Sequence, residues 1–393
     1  MTYRSRNCRR RNLTRLAQTV GMWGIFWLFT HSALAGPNSY VLEDQTGLET
    51  ANITLMSVFT GAMFLAIGAS LGSFLNVVVY RWPRGMNLSQ PPSMCPQCHT
   101  PIERRDNLPM LSWFRLRGRC RACQSPIPFR YPAVEIFAGC LFVGLLFIEL
   151  LSGGTNLPWD TRYHYAGVLW ILWYTKWDLV GLYGFHLWLL MALTALSLMQ
   201  RDGFTPHWRP WRTSLAAPVA LVMLVALTVL PHLHVVPFLS PMPAWIGRSQ
   251  WMVPIQDHWL SGWTWSVGLS LPGFLSGLSG GVIGWIAAVI VREVLHRLAV
   301  ESRDRSGLMV TLSLCGLCLG WQAVVCLAGG TLLLMLVLRG ISLLVPFHGL
   351  SSSEVVLALA LLLILNWRAV HIGWGHLWKF YDINTSVTLF TPG

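Results

Sequence analysis

Four cysteines stand as Cys95-Pro-Gln-Cys98 and Cys120-Arg-Ala-Cys123, with twenty-one residues between the two pairs. Two CxxC pairs at about this separation have the spacing of a zinc ribbon. Each pair takes one edge of a tetrahedral ion, and the intervening chain brings the second pair round to close the site. Four thiolates saturate zinc, so the metal would brace the fold and leave no open position for hydrolysis. Arg119 and Arg121 flank the second pair and are expected to favour its thiolates. A redox dithiol is the competing use of the same residues. His99, beside the first pair, reads as a supporting or surface residue and not as a ligand. Cys315 and Cys318 form another CxxC, but within an apolar run, where small buried side chains are the ordinary role of cysteine.

The elements that must position this cluster are membrane helices. Of 393 residues, 54% are hydrophobic and 11% charged, against about 25% charged in soluble domains. That composition excludes a disordered chain, a coiled coil and a soluble multidomain enzyme. It predicts an all-α, polytopic transmembrane helical bundle with a small cytoplasmic zinc-ribbon-like insert. Apolar runs fall at 53–80, 131–152, 178–200, 213–235, 273–298, 307–321, 322–345 and 350–367, each near the ~20 residues that cross a bilayer. In the last three, Gly329, Gly330 and Pro346 are the visible breaks. The stretch 166–177 and the Trp-rich loop 236–272 suit a membrane interface. No internal repeat is evident along the chain.

Charge orients the runs. The connection 81–130 carries nine Arg against Glu103 and Asp106. Arg201, Arg209 and Arg212, then Arg297, Arg303 and Arg305, and finally Arg339 mark alternate connections. The positive-inside rule places these in the cytoplasm and both ends of the mature chain outside, in a multi-pass protein. The net charge of +12 is therefore assigned to loops and the lipid bilayer, with no nucleic acid partner. Residues 1–36 join a basic segment to an apolar one ending Ala33-Leu34-Ala35, as in a signal peptide or an N-terminal anchor. The expected divisions are thus 1–36, a first span at 53–80, a four-cysteine zinc-binding domain at 81–130, a helical bundle at 131–367 and a tail at 368–393.

The stretch Gly72-Ser73-Phe74-Leu75-Asn76, then Tyr80-Arg81 and both CxxC pairs, resembles the prepilin peptidase family. So do Asn107-Leu108-Pro109, Leu111-Ser112-Trp113, Arg117-Gly118-Arg119-Cys120 and Arg130-Tyr131-Pro132 with Glu135. The resemblance covers roughly residues 60–140. It implies an integral membrane leader peptidase and N-methyltransferase of type IV pilus and type II secretion systems. Its substrate would be the N-terminal segment of a prepilin or pseudopilin, its methyl donor S-adenosylmethionine, and its partner a pilus or secretion platform in the inner membrane.

Proteolysis in that family uses two membrane-proximal aspartates, one deprotonating a water while its protonated partner polarises the scissile carbonyl. Aligned on Pro206, the first position falls on Met199, and the nearest acid is Asp202, three residues late. Counting back from Gly320-Trp321-Gln322, the second falls on Leu308, with Asp304 four residues early. Asp202 and Asp304 are the candidate catalytic residues if both loops are remodelled. Otherwise each is a loop acid paired with a neighbouring arginine. Among other acids, Glu135 either orients the cysteine loop, serves methyl transfer or sits favourably at a helix start. Glu149, Asp178, Glu293 and Glu354 fall near span ends, where interface placement is expected.

Three functions follow: a leader peptidase working through displaced acids, a non-proteolytic relative that binds pilin-like segments or only methylates them, and a transporter. A missing inverted repeat and few mid-span polar residues weigh against the last.

Overall fold

The computed structural model describes residues 47–157, 177–204, 215–229, 271–298, 307–344 and 350–370. Residues 1–36, nearly all of 166–177 and of 236–272, Asp304 and the tail beyond 370 lie outside the described residues.

Each of the eight apolar runs contains a helix. The chain forms α1 (Gly47–Arg81) and, inside the cysteine loop, the short α2 (Leu111–Arg115). There follow α3 (Arg130–Leu145), α4 (Trp177–Arg201), α5 (Ala216–Val229) and α6 (Leu271–Arg297). The series closes with α7 (Gly307–Leu319), α8 (Trp321–Leu344) and α9 (Ser352–Leu365). Among the described residues, five helical stretches are long and apolar enough to cross a membrane: Asn52–Arg84, Arg130–Leu151, Leu179–Arg201, Gly277–Arg297 and Trp321–Ile341. Five of the eight expected spans are met by this measure. α5, α7 and α9 have 14, 13 and 14 residues, a rise of about 20 Å against a hydrocarbon core of about 30 Å.

Helix ends follow local chemistry. α1 stops where Pro83 removes a donor, and Gly85 takes up a left-handed conformation (φ 66°) behind a 3₁₀ turn. α9 opens on a capping box, Ser351 accepting from the Glu354 N–H and Glu354 accepting from the Ser351 N–H. The break between α7 and α8 is at Gly320, whose φ of 89° suits glycine alone. Gly329 and Gly330 lie inside α8 and interrupt nothing.

Two close helix pairs organise the bundle, α1 with α3 and α6 with α7. Both are joined through glycine. A Cβ on Gly72 would stand 2.8 Å from the Ala138 Cβ and 2.9 Å from the Glu135 Cα, and one on Gly280 would fall 2.1 Å from the Gly316 carbonyl oxygen. In lipid, where apolar burial gives little advantage, such small-residue contact lets backbones pack closely. One large apolar cluster runs from Leu141 on α3 through α4 to α9. A smaller one joins Leu75, Val78 and Val79 of α1 to Val134 of α3 and to Ala195 and Met199 of α4, at the end of the bundle that carries the cysteine loop.

Candidate functional site

The two cysteine pairs form matching turns. Cys95 N–H donates to the Thr100 carbonyl and His99 N–H to that of Cys95; Cys120 N–H donates to Ser125 and Gln124 N–H to Cys120. His99 and Gln124 both take positive φ (55° and 58°) at the same place in each turn, and bridges Met94–Pro101 and Arg119–Pro126 close them. The signal was visible in sequence as Cys95-Pro-Gln-Cys98-His-Thr-Pro-Ile beside Cys120-Arg-Ala-Cys123-Gln-Ser-Pro-Ile, a short repeat that a search for long periods passes over. His99 is exposed in its turn, in keeping with a residue outside the ligand set.

All four Sγ atoms lie within 4.8 Å of one another. The Cys95–Cys123 separation of 3.8 Å equals the edge of a tetrahedron with Zn–S bonds of about 2.3 Å, which is ~3.8 Å. It is far from the ~2.05 Å of a disulfide. The donor set therefore fits a structural zinc ion.

Protonation follows from the turns. Backbone N–H groups of Cys98 and Gln97 point at Cys95 and hold its thiol down to about 6. The Ser125 hydroxyl and backbone N–H hold Cys123 below the ordinary thiol range. At Cys120 the N–H groups of Cys123 and Ala122 act in the same direction, but burial and the Cys95 and Cys123 thiols outweigh them and push it up. Negative charge does not accumulate on all four sulfurs without a cation. The expected help from Arg121 is corrected here: its guanidinium makes a two-pronged pair with Asp106 (both contacts 2.6 Å), which holds that carboxyl below its usual range. Backbone amides and the Ser125 hydroxyl favour the thiolates of Cys95 and Cys123. Zinc must displace the proton that Cys120 still holds, so apparent zinc affinity should weaken progressively as pH falls from neutrality. Metal analysis after chelator treatment across pH checks this, and an affinity that does not change with pH would contradict it.

The motif residues around the cluster anchor it to the bundle. Trp113 Nε1 donates to the Ile127 carbonyl (3.0 Å) and stacks edge-on against Phe129. Gly118, at φ 68°, leaves room for the indole, since a Cβ there would lie 2.9 Å from Trp113. Glu135 accepts the Met110 N–H at 2.7 Å, so of its three expected roles the geometry gives it loop orientation. Asn76 donates to the Tyr131 carbonyl at 3.2 Å, tying α1 to the start of α3.

The acid positions are arranged differently. Asp202 follows α4 and is gripped by Arg130, Nη1 to one carboxylate oxygen and Nη2 to the other at 2.9 Å. Arg130 also reaches the Leu198 carbonyl at 3.4 Å. Such a fork-to-fork pair occupies both carboxylate oxygens and fixes their direction. Met199 is 5% exposed in the smaller apolar cluster, and Leu308 is 1% exposed in the larger one. Asp304 lies outside the described residues. Of the other acids, Glu354 caps α9 and meets Arg201 at 3.1 Å, and Glu293 pairs with Arg297 on the surface of α6.

Glu149 departs most from expectation. It is fully buried, in a π turn (Leu146–Leu151) that extends α3, and His186 of α4 meets both its carboxylate oxygens through Nδ1 at 2.9 and 3.1 Å. His186 lies beside the Trp367 ring, with centroids 6.0 Å apart. The Asn156 side chain donates to the Ile364 carbonyl and its backbone carbonyl accepts from the Arg368 N–H nearby, so polar groups knit α3, α4 and α9 at the end away from the cysteines. An acid on a span boundary looks interfacial in sequence; only the π turn, which sequence does not display, rotates it inward. Cys315 and Cys318 are buried in α7, as an apolar CxxC should be.

Comparison with known proteins locates the similarity. Residues 66–149 match the bacterial peptidase A24 N-terminal domain. A prepilin leader peptidase/N-methyltransferase of Klebsiella pneumoniae is 43% identical over 105 residues, covering 23% of this chain and 46% of the relative. One from Myxococcus xanthus is 46% identical over 86 residues, covering 22% and 26%. One from Neisseria gonorrhoeae is 34% identical over 151 residues, covering 29% and 53%. The chain thus spans about a quarter to a half of the length of these relatives. No solved structure matches.

Proposed function

We propose, from the premise that residues 66–149 belong to the prepilin peptidase family, that this membrane protein binds prepilin-like N-terminal segments without cutting them. The observation that carries the reading is the fate of the acid positions. Met199 and Leu308 are buried apolar side chains, and the nearest described acid, Asp202, is committed to Arg130. With guanidinium N–H groups on both of its oxygens, Asp202 is turned to Arg130 and away from any partner acid.

The relatives' name carries two activities, leader cleavage and N-methyl transfer. S-adenosylmethionine would supply the methyl group, and the new role is then recognition with or without methylation. Zinc, held by Cys95, Cys98, Cys120 and Cys123, shapes the recognition half and takes no part in bond breaking. The setting is the bacterial inner membrane, with several helices crossing it and the cysteine loop in the cytoplasm. A pilus or type II secretion platform is the expected neighbour.

The test is capture of uncut substrate. A prepilin carrying a photoreactive residue in its leader should cross-link to the purified full chain and remain at full leader-containing mass. Recovery of leader-free prepilin, or no adduct at all, would overturn the reading.

A further inference from the structure

Arg81 is 8% exposed, yet its guanidinium meets no carboxylate among the described residues. It donates to the carbonyls of Asn87 and Leu88 (both 3.1 Å) and Pro91 (2.6 Å), which fix its position and leave its charge uncompensated. The two acids of the loop are taken elsewhere, Glu103 by Arg105 and Asp106 by Arg121. Glu135 is turned to the Met110 N–H, and Asp202 to Arg130. A buried cation without an anion is costly, and the surroundings are built to admit one.

Arg81 lines a cavity of about 400 Å³ between α1 and the cysteine loop. Ser70, Ser73, Phe74 and Val77, at helical spacing on the same face of α1, form one wall, and Ser93 and Asn107 offer polar groups across it. The cavity continues an exposed apolar stripe higher on α1, through Phe59 (72% exposed), Met63 and Ile67. The stripe belongs to a helix apolar enough to span the membrane, and the cavity lies where that span ends. The ligand must therefore be an anion at the end of an apolar chain. We infer that this cavity holds the phosphodiester headgroup of an anionic phospholipid, with Arg81 as its counter-ion and the Phe59–Phe74 stripe as the bed of its acyl chain. Basic pockets at the end of membrane spans recognise lipid headgroups by this combination of charge and apolar contact.

The experiment uses the full chain in nanodiscs of phosphatidylcholine containing spin-labelled phosphatidylglycerol or spin-labelled phosphatidylcholine. The wild type should hold the phosphatidylglycerol label about fivefold more strongly, the advantage expected from one arginine at such a surface. Arg81→Gln should bring the two labels to parity. Because Arg81 also clasps the loop, Ser73→Trp, which fills the cavity and keeps the cation, should do the same while zinc content stays at one ion per chain. Equal retention of both labels by the wild type, or a preference unchanged in both variants, would overturn the site. Displacement of the label by inorganic phosphate at the same concentration would assign it to a free anion, and displacement only by an acidic amphipathic peptide would assign it to a protein segment; either result overturns the lipid.

Discussion

Cys95→Ser is expected to strip the chain of zinc and to open residues 81–130 to proteolysis at their exposed arginines. Cys95 is the most buried of the four cysteines, and the N–H groups of its own turn hold its thiol down to about 6, so it is ready to ligate at neutral pH. Structural zinc in small Cys-rich domains supplies on the order of 10–16 kcal/mol of apparent binding free energy, which is also folding free energy. Little else holds the loop together. Its regular structure amounts to α2 and short turns, and its bonds to the helices run through Glu135 and Arg81. Even removing a partner of a metal ligand costs roughly 10–100-fold in affinity, and removing the ligand itself should cost more. Metal analysis of the purified chain and the trypsin half-life of the loop are the two measurements. Full zinc content in Cys95→Ser, with an unchanged half-life, would refute the centre.

The second large effect is expected at the other end of the bundle. Glu149→Ala leaves His186 buried against Trp367 without its acceptor, and His186→Leu leaves Glu149 in an apolar interior. Leaving one partner of a buried polar pair unsatisfied typically costs about 1–3 kcal/mol, whereas replacing both partners by apolar residues is often close to neutral. Each single variant should therefore lower thermal stability markedly, and the double variant Glu149→Leu/His186→Leu should recover most of the loss. Tryptophan fluorescence of the chain in detergent during heating checks this. Additive losses in the double variant would show that the two residues do not act as a unit.

Composition and runs of apolar residues were enough for the helices, because a membrane helix is written in every residue of a twenty-residue window. The cysteine centre was legible for a similar reason: CxxC pairs are local, and their ligand atoms converge once two short turns form. What stayed hidden depends on contacts between distant residues. Arg130 sits in a family motif, and sequence offers no sign that it reaches seventy-two residues along the chain to Asp202. The same holds for Gly72, which looks like part of a chemical signature and in fact seats α1 against α3. Hydropathy registers apolar length continuously across 307–345, whereas Gly320 divides that stretch between α7 and α8.

Several of the residues that make the resemblance specific hold the cysteine loop on two helices. The match ends at residue 149, and the positions that the resemblance gives to the cleaving acids, Met199 and Leu308, lie beyond it and are buried. On the proposed reading, recognition and cutting are separable in this chain.

Leader cleavage measures that separation most directly. Membranes containing the full chain, incubated with a prepilin, should leave its leader attached, with the same outcome for the wild type, Asp202→Ala and Asp304→Ala. Cleavage by the wild type that either substitution abolishes would contradict the account and return Asp202 and Asp304 to the role of a catalytic pair.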